Sequence, residues 1–324
     1  MLYCIQPEKT RGNALMDLIL HHYPASPFSE KTRVALGYKG LTWSSVTIPM
    51  MMPKPSLLPL TGGYRRTPVL QIGADIYCDT KLILDEVERR HPLPTYHPGG
   101  AAGRGSDHIL SWWADHTVFA CGAAVVFGAI ARFVPEPFLE DRRQLSGSPL
   151  DIEQMEAAGP AMLGQLQAHL AAAQALLGAN PYLRGSAPGE ADFALYHVVW
   201  FVRNSYPGQA ALFGPLPALA AWMDRIAAFG HGIEVPLDEA AALDIARAAA
   251  PEADLPFEPG DITGLAPGDG VTVMADDYGR DPVAGRLAGL TGERISLLRE
   301  DSAVGSVVVH FPRTGYLLRR LPNS

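Results

Sequence analysis

The sequence predicts an α/β domain, then an all-α domain, then a small all-β domain built as a barrel or curled sheet. Three observations carry this. Between residues 17 and 91, strand-like and helix-like runs alternate as β-α-β-loop-β-β-α, the span of one small α/β domain. From Asp107 to about Arg247 the chain is Ala- and Leu-rich with helical spacing. Beyond residue 257, five short β-like runs recur at near-regular spacing between Gly and Asp residues.

Residues 1–16 read as a disordered tail, with Met16 an alternative start. Asp17 to His22 is a short apolar strand, and Phe28 to Tyr38 a helix placing Val34, Ala35 and Tyr38 on one face. A glycine in "GYKGL" ends that helix. Residues 42–48 alternate as a second strand, and a Pro- and Met-rich loop follows. "TPVLQIGADIYCD" suits a hairpin around Gly73-Ala74, and "TKLILDEVERR" a helix that stops before His91-Pro92. This first domain is assigned to 17–91, and the Pro- and Gly-rich residues 92–104 to a linker.

A helical domain over 105–250 holds expected helices at 106–132, 151–178, 190–204, 217–229 and 237–249. The β-rich remainder, 257–324, contains "VTVMA", "VAGRLAGL", "RISLLRE", "SVVVHF" and "GYLLRRL". Its last two runs read as a hairpin with Pro312 and Gly315 in the turn. It carries seven Arg against nine Asp or Glu, so it forms no basic patch.

A net charge of −8 argues against a duplex nucleic-acid binder, which needs a basic face for phosphates. It leaves room for a local basic pocket for a small anion. Cys4, Cys78 and Cys121 lie far apart in no paired or metal-ligand spacing, which fits a reducing cytoplasm. No apolar run reaches membrane-spanning length, so no membrane partner is expected. The ten histidines show no HExxH-type pattern; His21-His22 belongs to a strand, and no metal is expected.

The pair Ser26-Pro27 obeys helix-start rules, serine at the N-cap and proline at the first helical position. A helix N-terminus also favours an anion beside it. By these rules alone Ser26 is a cap, an anion contact, or both. Tyr23 offers a rival hydroxyl, and Ser29 a weaker one, already inside the first turn.

Three stretches, "SPFSEKTRVALGYKGL", "RRTPVLQIGADIYCDTKLILDEVE" and "PYLRGSAPGEADFALYH", in this order and spacing resemble the cytosolic glutathione S-transferases of serine, bacterial-like type. The likeness covers residues 17 to 250 and leaves the final seventy outside it. It implies a thioredoxin-like N-terminal domain, a helical bundle, a homodimer and glutathione as co-substrate, used against an electrophilic hydrophobic small molecule.

The resemblance implies that Ser26 is catalytic, its hydroxyl donating to the glutathione sulfur and stabilising the thiolate, with Tyr23 the alternative. Phe28 belongs to the implied glutathione-binding set. Thr67-Pro68-Val69 matches the family's cis-proline turn, with the Val69 backbone aimed at the cysteinyl part. Asp79 and Thr80 would hold the γ-glutamyl ammonium and carboxylate, at a helix start they also cap. Lys54, and Arg66 after it, would reach the glycyl carboxylate.

In the third stretch Asp192 is the returning half of a capping box whose cap is Gly189, a structural motif. The hydrophobic-substrate candidates are Trp112, Trp113, His116 and Phe119 on one helix, and Arg203 on another. A reductase of the same fold is disfavoured, because serine stands where it would need cysteine. The alternative to an enzyme is a catalytically weak transferase-fold protein that binds partners through 257–324.

Overall fold

In the first unit, successive residues of each central strand feed two different cores. This computed structural model describes residues 18–147 and 150–322, so the tail at 1–16 and the start at Met16 lie outside the described residues. The elements are β1 (Ile19–His22), α1 (Pro27–Tyr38), β2 (Thr42–Thr47), a short α2 (Leu58–Thr61), β3 (Val69–Ile72), β4 (Asp75–Cys78) and α3 (Thr80–Arg90). β1 lies parallel to β2 and antiparallel to β3, which forms the expected hairpin with β4.

Leu20, Leu70 and Tyr77 face the helices, while Ile19, Val69 and Ile76 face a second core. That alternation follows from the two-residue period of a strand. It explains why every residue of β1, β3 and β4 is buried.

The helical unit comprises α4 (Gly100–Trp112), a π-helical turn (Trp113–Val118), α5 (Phe119–Ile130), α6 (Glu136–Ser146), α7 (Ile152–Leu177), α8 (Glu190–Ser205), α9 (Gln209–Phe213) and α10 (Pro217–Ala227). Then come β5 (Ile233–Pro236) and α11 (Glu239–Ala248). α4 starts inside the segment expected to be linker, just after Gly99, whose φ of 94° suits glycine. α6 and β5 were not expected. α6 buries only Leu139, Asp141 and Leu145 in a charged run, and β5 is mostly exposed and held by β2 through parallel pairing.

Taken as one helical stretch, residues 100–133 are long and apolar enough to cross a membrane, which corrects the expectation that no run reaches that length. Reading unbroken apolar runs missed it, because Arg104, Asp107, His108, Asp115 and His116 interrupt the sequence. Here the stretch packs against α7 and α8.

The last part holds β6 (Gly270–Ala275), β7 (Val283–Leu290), β8 (Arg294–Asp301), β9 (Gly305–Pro312) and β10 (Tyr316–Arg320). All ten strands join one sheet, in the order β10-β6-β7-β8-β9-β4-β3-β1-β2-β5. β9 runs parallel to β4, with Ile76 opposite Val309. β9 and β10 are therefore not a hairpin. β9 is bonded on one side to β8 and on the other to β4, so β10 pairs with β6 instead. Only residues 313–315 separate β9 from β10, which curls the five strands until Phe311 and Tyr316 meet at 5.4 Å.

A buried histidine fastens this junction. His310 Nε2 donates to Asp75 Oδ1 at 3.0 Å, and its Nδ1 accepts from Ser296 Oγ at 2.8 Å. The ring stacks on Tyr77 at 4.5 Å. Burial outweighs Asp75 and holds the imidazole below its ordinary pKa.

Candidate active site

The predicted site divides into two ends, one at each helix N-terminus of the first unit. At the first, Ser26 has extended backbone (φ −75°, ψ 120°) and its Oγ accepts the Ser29 N–H at 3.2 Å. Pro27 follows in the first turn. An N-cap hydroxyl used this way still has its own proton to donate. Here it faces the Tyr23 hydroxyl, which also interacts with Arg142. Burial pushes the Tyr23 phenol above its ordinary pKa, so it stays neutral near pH 7.

Lys54 stands 5.8 Å from the Tyr23 ring and donates to Thr67 Oγ1 (2.9 Å) and the Arg65 carbonyl (3.0 Å). Burial, then the Arg142 charge, lowers it to about 8. The Thr67–Pro68 bond is cis. Val69 opens β3, in register with His21 of β1 and Cys78 of β4.

At the second end Asp79 caps α3, its Oδ1 accepting the Lys81 N–H at 2.9 Å. It adopts φ 77° and ψ 136°, a positive-φ conformation outside the left-handed helical well and uncommon for a non-glycine residue. Its other oxygen accepts from Tyr316 Oη at 3.1 Å, so the final strand reaches into this end of the site. Thr80 Oγ1 accepts from Lys31 Nζ at 3.2 Å.

Lys31 is fully buried and pairs with Asp115 Oδ2 at 2.7 Å; Asp115 Oδ1 meets His197 Nε2 at 2.8 Å. Burial alone would raise Asp115, but Lys31 and His197 outweigh it and hold the carboxyl below its ordinary range. Burial likewise opposes the Lys31 charge, and Asp115 and Glu190 reverse it. The pair is therefore ionised. Asp115 sits in the π-helical turn, a local widening of the helix often found at functional sites.

A cavity of about 300 Å³ opens beside this end, with Asp79, Trp112, Asp115, His116, Asp277 and Tyr316 among its walls. Arg66 also lines it and is ion-paired to Asp277.

The family model for the glutathione S-transferase N-terminal domain matches residues 20–95, and that for the C-terminal domain residues 155–225. A GST-like protein from Pseudomonas syringae is 39% identical, over 94% of this chain and 99% of that one, with a TM-score of 0.74. The chain belongs to the glutathione S-transferase family. Coverage of that extent takes in the C-terminal strands too. A β-etherase from Sphingobium sp. strain SYK-6 (18% identity, 66% of this chain and 96% of that one, TM-score 0.52) shares the fold. So does glutathione transferase F2 from Populus trichocarpa (15%, 65% and 93%, TM-score 0.52). No curated protein matches.

Within this transferase fold the substrate-wall candidates separate. Trp112 and His116 stack at 3.7 Å and line the cavity. Phe119 packs on Phe28 at 4.7 Å, and Phe28 on His197 at 4.5 Å. Trp113 instead donates from Nε1 to His169 Nδ1 at 3.4 Å, toward α7. Arg203 lies against Met223 and Asp224. Trp113, Phe119 and Arg203 are not among the cavity walls.

Asp192 accepts from the N–H groups of Gly189 and Leu183 at 2.9 Å and from Trp222 Nε1 at 2.7 Å, the structural role expected of it. Any Cβ at Gly189 would stand 2.7 Å from Asp107 Oδ1, which explains the glycine cap. Sequence reasoning missed Lys31, Asp115, His197 and Tyr316. The available signal was a charged or ionisable residue in an apolar helical run: Asp115 in "WWADHTV" and His197 in "FALYHVVW".

Proposed function

We propose that this chain binds glutathione across the two helix N-termini and activates its thiol for attack on an electrophilic, hydrophobic small molecule. The observation that carries the reading is Ser26: its oxygen accepts the Ser29 N–H, which leaves its own proton for a sulfur at a positive helix end. The thiol gives its proton to solvent, and the thiolate forms the new C–S bond as the electrophile's leaving group, or its π electrons, take the displaced pair. Thr67 and cis-Pro68 would lie along the cysteinyl part, with Lys54 toward the glycyl carboxylate. Asp79 and Thr80 would hold the γ-glutamyl end, exchanging their present contacts with Tyr316 and Lys31 for ligand. Trp112 and His116 would wall the second substrate.

Calorimetric titration of glutathione into wild type and Ser26→Ala, in two buffers of different ionisation enthalpy, counts the protons released. Release near pH 7 that disappears in the variant, with turnover lower by about 100-fold, supports Ser26 as the donor. Release unchanged in the variant transfers the role to Tyr23, whose phenol keeps its proton. A homodimer and a cytoplasmic setting are part of the proposal, and light scattering on the purified chain tests the first.

The competing reading, a binding module acting through the last strands, draws on the contact between Tyr316 and Asp79. Those strands share a core with the first unit, so deleting 257–324 would damage fold and role together. Ser26→Ala is the cleaner discriminator, because it is silent for a binding module.

A further inference from the structure

We propose that Asp85, His97, His108 and Glu190 form a binding site for one divalent transition-metal ion, zinc by preference. This departs from the sequence-based expectation of no metal and is independent of the glutathione reading. Asp85 comes from α3, His97 from the segment before α4, His108 from α4, and Glu190 is the first residue of α8. One ligand atom from each lies within 4.8 Å of all the others.

The separations favour a shared ion over mutual hydrogen bonds. Glu190 Oε2 stands 3.7 Å from His108 Nε2 and 3.9 Å from His97 Nε2, and His108 Nε2 stands 3.8 Å from Asp85 Oδ1. These exceed hydrogen-bond lengths. They approach the edge of a tetrahedron with zinc–ligand bonds of about 2.0 Å, roughly 3.3 Å. The two imidazoles meet nearly perpendicularly, 88° between planes, as rings converging on one point do, not as a stacked pair.

The second observation is an orphaned carboxylate. Glu190 is 1% exposed, and neither of its side-chain oxygens has a hydrogen-bond partner among the described residues. His108 Nε2 is buried and unpartnered as well. A carboxylate enclosed in this way is costly unless something cationic or protic meets it.

The surroundings already orient the ligands. His97 Nδ1 lies 3.2 Å from Asp107 Oδ2, and Asp107 is itself fixed by Arg184 at 2.6 Å. With its proton on Nδ1, facing Asp107, His97 turns the Nε2 lone pair into the cluster, as carboxylate–histidine–metal arrangements do. Lys81 Nζ holds Asp85 Oδ2 at 2.7 Å, and Arg104 approaches Oδ1 only at 3.4 Å. His108 and Glu190 also line the cavity described above, which provides a way in.

Two imidazoles with two carboxylates suit zinc over magnesium or calcium, which prefer all-oxygen sites. Four protein ligands make a closed site of structural type, its charge balanced by the two carboxylates. It would clamp α3 of the first unit to α4 and α8 of the helical unit.

The test uses the full chain, treated with EDTA, dialysed and kept free of glutathione, which itself chelates zinc. Zinc chloride is titrated calorimetrically into wild type, Glu190→Gln and His108→Ala. Circular dichroism checks each fold, and elemental analysis counts the bound metal. The expected result is about one zinc per wild-type chain, with affinity at least 100-fold weaker in each folded variant. Cobalt(II) loaded in place of zinc should show the intense visible bands of a tetrahedral site in wild type alone. Absence of stoichiometric binding by wild type would overturn the proposal, as would equal binding by either folded variant. If Glu190→Gln fails to fold, His108→Ala, whose side chain is a quarter exposed, decides it.

Discussion

Of the histidine–carboxylate clusters at the junctions of this molecule, the one at β4 and β9 and the one at α3, α4 and α8 differ in how completely their polar atoms are answered. At the junction of β9 and β4, His310 uses both nitrogens, one on Asp75 and one on Ser296. Where α3, α4 and α8 meet, Glu190 and His108 leave polar atoms without partners. A saturated cluster has nothing left to offer a ligand, so its role is cohesion. An unsaturated one is stable only if something completes it.

The comparison can be broken at its saturated side. His310→Ala leaves Asp75 buried without its main partner and opens a void beside Tyr77. The expected loss is about 3–5 kcal/mol of unfolding free energy, read from urea denaturation. A loss below about 1 kcal/mol would mean the staple is not a staple.

A second effect concerns pH. His21 Nε2 bonds Gln71 Oε1, and His22 Nδ1 accepts from Arg33; burial holds each at about 4, with Arg33 adding to the effect at His22. Both folded values lie below the unfolded 6.5. Between those limits the unfolded chain takes up protons that the folded chain refuses. Stability therefore falls as pH drops from about 6.5 toward 4, by about 1.4 kcal/mol per pH unit for each histidine. Urea midpoints across that window should show this slope, and His22→Gln should flatten it by one histidine's share.

The unsaturated cluster sharpens the contrast. Zinc at a hundredfold excess over its Kd should raise unfolding free energy by about 2.7 kcal/mol, and EDTA should reverse the gain. Glu190→Gln should show neither effect, and His310→Ala should keep both.

Asp79 falls between the two cases. Its oxygens are answered, one by a backbone N–H and one by the Tyr316 hydroxyl. Tyr316→Phe should cost about 1 kcal/mol of stability. If ligand and hydroxyl compete for that oxygen, the variant should bind glutathione more tightly in the same calorimeter.

Much of this was legible in the sequence wherever the rule involved was local. Ser26-Pro27 and Asp79-Thr80 announce helix starts within four residues, and the Gly73-Ala74 turn announces its hairpin. The strands after 257 could be read one by one, but their pairing could not. Nothing near Val309 says that its neighbour is Ile76, or that this leaves β10 to find β6.

The same holds for the side chains. Nothing in the sequence around Arg203 says that its neighbours are Met223 and Asp224. Lys31 and Asp115 meet across 84 positions. The four proposed metal ligands come from three helices and a connecting segment, with no spacing that a motif could capture.

The parallel pairing of β9 with β4 also sets an order of events. His310 is made 235 residues after Asp75, so a ribosome releases the first four strands long before the strand that covers their edge. Throughout that interval β4 offers unpaired backbone groups, and the second core lacks much of its apolar filling. A message that stops early, or a protease cut ahead of residue 305, yields a chain whose opening sheet is never finished. The late strands thus close what the early ones open: the edge of β4 is covered only in a chain that already carries β9.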